Sequence, residues 1–572
     1  MPERLLAGLP ASPGEALGAA RPLTVADVGD AVVPPAERPA ALAAARAALA
    51  AAGRELAALA ARLHDQERAA EAEIVDTGVL MAADPGLDAE LEAAVLGRGR
   101  PAPAALVAAC GVHADAIAAL GDPVLAARAD DLRSLGRRAA RQLAPVADAT
   151  APGGPEIVIA EDLGPADVAE LGEGVAGVAL ARGGPSAHAA IVARGLGIPM
   201  AVGLGDGLLA LPAGAPLALD GAAGTVAAWP AGARAQRARA AQDARRRARD
   251  REIAGAALPA VTADGRTVRV LANAATAAEA HAALRAGAEG VGLLRTELAL
   301  LGATRWPSEP EHRASLAPVL AQLAGRTATV RVLDFGGDKT PPFLRGTPER
   351  GLALLLAHPE ALRAQLRAIL AEAAVHRVAL RILLPLVGSA REVRAVRDLL
   401  EAPAGATLGA MVETRAAVAA AAEIAREADF LSIGTNDLTA DVLAVDRFSP
   451  GGAVAHDPRV LAAVAATVAA ARSAGRIVEV CGEAASEPLV LPLLVGLGVD
   501  ELSVGAARVG ATREAVRALD AAGAQALAHA ALAAADAGAV AALVRGSVGE
   551  ARDAAGERLD RGRPVLALGD EP

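Results

Sequence analysis

The spacing of hydrophobic and polar positions divides the chain into stretches of different periodicity. From about residue 40 to residue 145, apolar positions recur at i, i+3 and i+4 in an Ala-rich background, which predicts a helical region. After Pro152-Gly-Gly-Pro155, short apolar runs rich in Val and Ile alternate with short helical segments. This pattern predicts a small α/β domain over residues 146–230, joined by the non-helical opening 1–22. The helical segment 23–145 would then be an insertion into that domain.

A charged helix and a repeating strand–helix pattern follow. The pattern over residues 231–255 predicts a single connecting helix, which carries eight arginines. A basic helix can bind nucleic acid, but no aromatic residues are interleaved here, so a solvated connecting helix is the simpler interpretation. The remainder, 256–572, predicts a (β/α)8 (TIM) barrel. Its eight predicted strands are Thr267–Asn273, Gly290–Glu297, Thr329–Asp334, Leu380–Val387, Thr407–Glu413, Phe430–Asp437, Ile477–Cys481 and Glu501–Val504. The predicted fold class is therefore a multidomain α/β protein.

Composition sharpens this picture and excludes some classes of protein. Hydrophobic residues make up 53% of the chain and aromatic residues only 1%, so its cores must be built from Leu, Val and Ala. The net charge of −11 argues against nucleic-acid binding, and two cysteines cannot form a disulfide framework. No apolar stretch is long enough to predict a transmembrane helix. The lack of a disulfide framework leads us to expect a cytoplasmic protein. Among 56 basic residues only Lys339 is a lysine, and the only asparagines are Asn273 and Asn436.

These rare residues fall at the predicted strand ends, where (β/α)8 barrels have their active sites. Glu413 and Asp437 follow neighbouring strands, and such a carboxylate pair suits Mg²⁺, which completes its shell with water and phosphate; a structural salt bridge is the alternative. Guanidinium and ammonium groups that bind phosphate or carboxylate are predicted at the same mouth. They belong to Arg295, Arg331, Lys339 and Arg447. The constellation predicts a site for a small, multiply charged anion.

Two further residues are candidates for chemistry. A free cysteine is most often a small buried hydrophobic residue, but Cys481 at the mouth of such a barrel could donate a proton. His188 follows Gly183-Gly184 and lies at the predicted start of a helix, where the helix dipole and unpaired N–H groups favour an anion. A lone histidine is more often structural, but the preceding glycines favour a phosphoryl carrier.

Taken in order along the chain, these motifs resemble the enzyme I family of the bacterial phosphoenolpyruvate (PEP):sugar phosphotransferase system, the PEP–protein phosphotransferases. The resemblance covers essentially the whole chain. The segment Gly183-Gly-Pro-Ser-Ala-His188 is similar to the family's phosphohistidine segment. The substrate-binding barrel of the family is represented by Gly292-Leu-Leu-Arg-Thr-Glu297, Gly336-Gly-Asp-Lys339, Met411-Val-Glu-Thr414, Ser432-Ile-Gly-Thr-Asn-Asp-Leu-Thr439, Ala444-Val-Asp-Arg447 and Cys481-Gly-Glu483.

The resemblance implies a specific reaction. His188 would attack the phosphorus of PEP, Glu413 and Asp437 would hold Mg²⁺, and Cys481 would protonate the departing enolate to give pyruvate. The phosphate and carboxylate of PEP would be bound by Arg295, Arg331, Lys339, Asn436 and Arg447. His188 would then transfer the phosphoryl group to a histidine of HPr, a small carrier protein, in the first step of sugar uptake. The resemblance also implies that the phosphohistidine domain swivels on the arm 231–255, and that the protein forms a homodimer through the barrel.

HPr would dock on the helical insertion, where a basic partner suits an acidic stretch. That stretch contains Glu67, Glu71, Glu73 and Asp76.

The chain departs from the family's pattern at several positions. The segment after Lys339 is shortened, so that only Arg350 can be compared with the family's usual arginine there, and Val168 replaces a threonine that usually supports the catalytic histidine. Ser186-Ala187 and Arg415 also differ from the residues expected at their positions. Because of these departures, a second hypothesis remains open: the chain is a non-catalytic or regulatory homologue that binds HPr or PEP without efficient transfer. A third hypothesis is an HPr-independent phosphoryl-transfer enzyme related to pyruvate phosphate dikinase.

Overall fold

The computed structural model describes residues 2–23, 32–65, 69–119, 123–143, 154–172, 174–185, 187–336, 339–400, 406–445 and 454–547. The chain forms two compact units, Met1–Ala248 and Arg249–Pro572. No helix among the described residues is long and apolar enough to cross a membrane.

The described part of the first unit contains one eight-stranded mixed sheet. Its strands are β1 (Arg4–Ala7), β2 (Leu9–Ser12), β3 (Glu15–Pro22), β4 (Glu156–Ala160), β5 (Val175–Leu180), β6 (Met200–Val202), β7 (Pro216–Asp220) and β8 (Thr225–Ala228). The strand order is β1-β8-β7-β3-β4-β5-β6-β2. β3 pairs in parallel with β4 and antiparallel with β7, so the opening of the chain forms part of the same sheet as the strands after residue 155.

Helices of the first unit lie mainly between β3 and β4. The helices are α1 (Arg38–Asp65), α2 (Ala69–Ala82), α3 (Pro85–Glu92), α4 (Ala102–Ala118), α5 (Pro123–Arg141), α6 (Pro165–Ala169), α7 (His188–Leu196) and α8 (Gly232–Ala254), the last of which continues into the second unit. Small residues allow these helices to approach closely. A Cβ at Gly136 of α5 would lie only 2.8 Å from the Cβ of Cys110 in α4, for example.

The second unit contains a closed barrel of eight parallel strands, counted over its described residues, which confirms the predicted fold class. The strands are β9 (Arg269–Ala274), β10 (Gly290–Arg295), β11 (Thr327–Arg331), β12 (Ala379–Leu384), β13 (Thr407–Val412), β14 (Phe430–Ile433), β15 (Ile477–Val480) and β16 (Glu501–Gly505). Barrel strands are buried on both sides, so alternate residues face the interior and the surrounding helices. Along β11, Ala328 and Val330 join the outer core, and Thr327, Thr329 and Arg331 face the interior.

Helices surround the barrel. They are α9 (Ala277–Arg285), α10 (Glu309–Leu320), α11 (Gly351–Ala357), α12 (Pro359–His376), α13 (Ala390–Leu399), α14 (Arg415–Ala419), α15 (Ala421–Glu427), α16 (Thr435–Leu443), α17 (Pro458–Ser473), α18 (Leu491–Leu497), α19 (Val509–Ala518) and α20 (Ala521–Leu532). Reciprocal capping starts α9, because the Thr276 hydroxyl accepts the N–H of Glu279 at 3.2 Å while the Glu279 carboxylate accepts the N–H of Thr276.

Several strands end earlier in the structure than the sequence predicts. The clearest case is Phe430–Asp437, because β14 ends at Ile433 and α16 begins at Thr435. Gly434 makes the turn between them with φ −84° and ψ 84°. Asn436 and Asp437 therefore lie in the first turn of a helix, not on a strand, and periodicity alone misses this because Gly-Thr-Asn-Asp is polar in either structure.

Candidate active site

A network of four charged residues, two of them buried and two half-buried, occupies the ends of β10 and β11. The guanidinium of Arg331 donates to the carboxylate of Glu297 at 2.5 Å and pairs with Asp334 at 3.1 Å. The ammonium of Lys339 lies 3.1 Å from Glu297 and 3.3 Å from Asp334. Glu297 is fully buried and Arg331 nearly so. Each cation therefore touches both carboxylates, which fixes the positions of Arg331 and the only lysine of the chain at the barrel mouth.

Gln365 on α12 supports this network from behind. Its side-chain oxygen accepts the N–H of Leu333 at 2.9 Å, and its amide nitrogen donates to the Thr296 hydroxyl at 3.1 Å. That hydroxyl donates to the carbonyl of Arg331 at 2.9 Å. Gln365 is completely buried, so it connects the ends of β10 and β11 where no water can replace it. Sequence reasoning missed Gln365, because no motif distinguishes a glutamine in the middle of an amphipathic helix.

Arg295 ends β10 directly beside Arg331, its register partner on β11. Its side chain is half-buried. Within the described residues, its guanidinium has no hydrogen bond or ion pair, unlike that of Arg331. An arginine held at a strand end without a carboxylate partner is available to bind an anion.

Glu413 and Asp437 lie close to each other and to this network. Burial raises the pKa of Glu413 to about 7, and the nearby carboxylates of Asp334 and Asp437 add to the rise, whereas Arg331 opposes it. One oxygen of Glu413 accepts the N–H of Leu386 at 2.6 Å. The other packs against Gly434, where a Cβ would lie 2.7 Å from it. The carboxylate is thus held in one position by the backbone.

This donor set fits Mg²⁺. No group of three His, Cys, Asp or Glu side chains suitable for a metal occurs among the described residues. Mg²⁺ does not need such a cage, because one or two carboxylates with water and substrate phosphate complete its shell. Burial and the neighbouring carboxylates both disfavour a charged Glu413, and a bound divalent cation would offset both effects.

Cys481 follows β15 and lies inside the barrel, packed with Leu293, Leu383, Met411 and Phe430. Burial raises the pKa of its thiol to about 12, and the Glu479 carboxyl adds to the rise. The Ser432 hydroxyl donates to its sulfur at 3.3 Å. The thiol therefore keeps its proton at neutral pH, as a proton donor must.

Both asparagines position the backbone around Cys481. The amide of Asn273 donates to the Cys481 carbonyl at 3.0 Å and accepts from the Ser503 hydroxyl at 2.7 Å. Asn436, in the first turn of α16, accepts the N–H of Glu483 at 3.2 Å. The structure thus brings the rare asparagines to the same barrel mouth as the charged residues.

Some predicted residues lie outside the described part of the chain. Arg447 falls in the interval 446–453, and Glu67 falls in 66–68. The side chains of Glu71 and Glu73 are likewise outside it.

His188 is the first residue of α7 in the other unit, as predicted. Gly183, before it, has φ +91°, a left-handed conformation that favours glycine and lets the chain turn from β5 toward the helix. Nδ1 of His188 lies 2.9 Å from a carboxylate oxygen of Asp131 on α5, and Arg128 pairs with the same Asp131 at 3.2 Å. The sequence does not predict this contact, because Asp131 and His188 lie 57 residues apart.

Other side chains of α5 anchor this helix beside α6. The Ser134 hydroxyl donates to buried Asp167 at 2.9 Å, and Arg138 and Arg141 pair with the same carboxylate at 3.2 and 2.6 Å. Arg137 pairs with Asp162, after β4, at 3.0 Å. These buried ion pairs hold α5 at a fixed position, so Asp131 is presented to His188 by a rigid element.

A closed barrel of eight parallel strands, with arginine, lysine and carboxylate side chains clustered at its mouth, defines the second unit as a (β/α)8-barrel protein domain. Three family models match the chain in order. They are the PEP-utilising enzyme, N-terminal, over residues 7–128; the PEP-utilising enzyme, mobile domain, over 152–224; and the PEP-utilising enzyme, PEP-binding domain, over 249–521.

Curated relatives agree with these models. The phosphoenolpyruvate-protein phosphotransferase of Streptomyces coelicolor is 38% identical over 451 residues, which are 76% of this chain and 80% of that protein. Two multiphosphoryl transfer proteins are also similar. That of Rhodobacter capsulatus is 40% identical over 76% of this chain and 54% of its own length, and that of Xanthomonas campestris pv. campestris is 41% identical over 68% and 49%. The chain spans about half the length of these two relatives.

It belongs to the phosphoenolpyruvate-protein phosphotransferase family, which confirms the resemblance.

Proposed function

We propose that the chain transfers the phosphoryl group of PEP to His188 and then to a histidine of HPr, releasing pyruvate in the cytoplasm as the first step of sugar uptake by the phosphotransferase system. The observation that carries this proposal is the barrel mouth. There the carboxylates of Glu297 and Asp334 hold Arg331 and Lys339 close to Glu413 and to a thiol that stays protonated. Phosphoryl transfer requires mainly positioning and charge neutralisation, and the mouth has the groups for both.

PEP carries a phosphate and a carboxylate, and each needs cationic or amide donors. Arg295, which has no partner among the described residues, is the first of these donors, and Arg331 and Lys339 present their remaining N–H groups from fixed positions. We assign Asn436 and Arg447 to the same task, following the resemblance. Binding of both anionic ends would hold the bridging oxygen of PEP in one place at the mouth.

We assign Mg²⁺ to Glu413 and Asp437. When bound, the ion would supply positive charge to offset the negative charge of the phosphate and of the enolate product. The chain's own contribution is to fix the Glu413 carboxylate by the N–H of Leu386 and by its packing against Gly434.

His188 supplies the nucleophile. If Nδ1 keeps its proton in the hydrogen bond to Asp131, the lone pair is on Nε2. Attack by Nε2 forms a nitrogen–phosphorus bond, while the bond from phosphorus to the enol oxygen breaks. The Cys481 thiol then gives its proton to C3 of the enolate, which becomes the methyl group of pyruvate.

The acceptor protein and the assembly are further parts of the proposal. We place the docking site for HPr on the helices between β3 and β4, near the acidic stretch that ends at Asp76. We expect the protein to act as a homodimer formed through the barrel, without nucleic acid and without membrane insertion.

The test uses PEP labelled with ³²P, Mg²⁺ and the full chain. The label should appear as an acid-labile phosphohistidine, should be absent in His188→Ala, and should move to added HPr as pyruvate forms with turnover. His113→Ala is a matched control on α4 that should leave labelling unchanged. Label that persists in His188→Ala would overturn the assignment of the nucleophile. Stoichiometric label that never moves to HPr would instead favour a regulatory homologue, and dependence on ATP or AMP a relative of the dikinases.

A further inference from the structure

Half of the aromatic rings of this aromatic-poor chain meet beside the barrel mouth. The chain has two tryptophans and four phenylalanines, and three of these six, Trp306, Phe335 and Phe343, form one cluster. The ring of Trp306 lies 5.3 Å from that of Phe343, edge to face, and 6.2 Å from that of Phe335. The two phenylalanine rings lie 6.4 Å apart, also edge to face. Pairs at these separations stabilise a structure beyond the area that they bury.

The cluster joins two connections of the barrel. Trp306 lies between β10 and α10, in the connection that also carries Glu297. Phe335 and Phe343 lie in the connection after β11, four residues before and four residues after Lys339. Trp306 therefore packs against a ring on each side of the only lysine of the chain. The same two connections meet a second time at the mouth, where Glu297 pairs with Lys339.

The part of the chain that carries this lysine, residues 339–350, is called here the Lys339 segment. Its side chains at 345–350 are exposed, and its only regular structure within the described residues is one turn of 3₁₀ helix, Pro342–Leu344. Phe343 lies in that turn and packs, half-buried, against the core outside the barrel. A segment with so few buried side chains opens easily unless specific packing holds it.

We propose that Trp306 is a positioning residue for the ammonium of Lys339. This inference rests on the proposed function, in which that ammonium binds PEP. By packing against Phe335 and Phe343, the indole holds the Lys339 segment in place, so that the ammonium stays within 3.3 Å of its two carboxylates. In a segment that is not held, only a fraction of the molecules presents the ammonium to PEP, and the apparent affinity falls by that fraction.

Steady-state kinetics with excess HPr give the first test. Trp306→Ala should raise the KM for PEP about 10-fold with little change in kcat, because saturating PEP draws the segment back to its binding position. Trp306→Phe keeps an aromatic ring at this position and should restore most of the affinity. His358→Ala is the matched control and should keep the wild-type KM. Its exposed ring lies 5.0 Å from that of Trp306, but His358 is outside the Lys339 segment.

A double-mutant cycle tests whether the indole acts through the lysine. Lys339→Ala removes the ammonium, so adding Trp306→Ala to it should raise the KM for PEP no further. A tryptophan that merely supports the whole mouth would raise the KM by the same factor with or without the lysine.

Proteolysis gives a measurement that does not depend on turnover. Because Lys339 is the only lysine, endoproteinase Lys-C has a single site in the chain, the Lys339–Thr340 bond. Cleavage requires the segment to open, so Trp306→Ala should speed it about 10-fold, and Trp306→Phe should not. Leu502→Ala is the control for a general loss of stability. It removes a buried side chain from β16, which pairs with neither β10 nor β11, and should leave this cleavage near the wild-type rate.

The outcomes separate this inference from the proposed function. An unchanged KM in Trp306→Ala, or independent effects of Trp306→Ala and Lys339→Ala, overturns the positioning role. Equal rates of Lys-C cleavage in Trp306→Ala and the wild-type protein overturn it as well. If the wild-type protein forms no phosphohistidine from PEP, the proposed function fails, and the cleavage rates still decide whether Trp306 holds the Lys339 segment.

Discussion

A carboxylate oxygen of Asp131 lies 2.9 Å from Nδ1 of His188. Asp131 comes from α5, a helix anchored by buried ion pairs to Asp162 and Asp167, so the contact has a rigid base. Its side chain is only 7% exposed, which strengthens the hydrogen bond. Val168, which replaces the threonine expected by resemblance, is fully buried and has no side-chain polar atom to bind His188. In this chain, Asp131 is the carboxylate that orients the imidazole.

Replacing Asp131 with asparagine should slow labelling of His188 by PEP about 10-fold or more. An amide can donate to Nδ1, and that contact stabilises the tautomer whose proton is on Nε2, the nitrogen that must attack. The measurement is the rate of ³²P incorporation under single-turnover conditions. Asp130→Asn is the control, since Asp130 pairs with Arg133 at 2.8 Å on the same helix. Equal rates for the two variants would show that Asp131 does not orient the nucleophile.

Periodicity and the rule for barrel active sites predicted much of this site from sequence. Both asparagines, Lys339 and Cys481 were placed at the mouth because active sites of (β/α)8 barrels lie at the C-terminal ends of their strands. The contacts that hold the site were not predictable in this way. Asp131 lies 57 residues from His188, and Gln365 lies 32 residues from Leu333, so neither pair shares a local pattern. Such pairs become neighbours only through tertiary packing.

Gln365→Leu should destabilise the barrel and weaken binding of PEP. The variant leaves the buried N–H of Leu333 without its acceptor and removes the donor to the Thr296 hydroxyl, which costs about 1–3 kcal/mol. Because Thr296 holds the backbone of Arg331, we also expect a higher KM for PEP. Denaturant unfolding and steady-state kinetics measure the two effects. Gln322→Leu, at an exposed position, should change stability by less than about 0.5 kcal/mol. If both variants are equally stable, Gln365 is not a structural support.

His312 should make the stability of the barrel depend on pH. It is buried on α10, and burial lowers its pKa to about 4. The unfolded chain, with an ordinary histidine pKa of about 6.5, binds the proton more tightly, so stability rises with pH across the interval between these values. The contribution of neutral, buried His312 to the free energy of unfolding is fully present above pH about 6.5 and is lost as the pH falls toward about 4.

The test compares His312→Leu with the wild-type protein by calorimetry across that interval. The variant should flatten the slope, with a difference of up to about 3 kcal/mol between the two ends. His529→Leu, on the exposed side of α20, is the control and should keep the wild-type slope. An unchanged slope in His312→Leu would mean that His312 is protonated equally in the folded and unfolded states.

Gly434→Ala should weaken the proposed Mg²⁺ site without straining the backbone. The φ of Gly434, −84°, suits any residue, so the effect is steric. The Cβ of the new alanine would lie 2.7 Å from one carboxylate oxygen of Glu413 and 3.0 Å from the Cβ of Glu413. Displacing a metal-binding carboxylate of this kind reduces affinity about 10-fold or more. The measurement is the Mg²⁺ concentration required for half-maximal labelling of His188. Gly505→Ala is the matched control, because β16 also ends at the mouth but a Cβ there meets nothing within 4 Å. If both alanine variants need the same Mg²⁺ concentration as the wild-type protein, the position of the Glu413 carboxylate does not govern metal binding, and the assignment of Glu413 as a ligand is wrong.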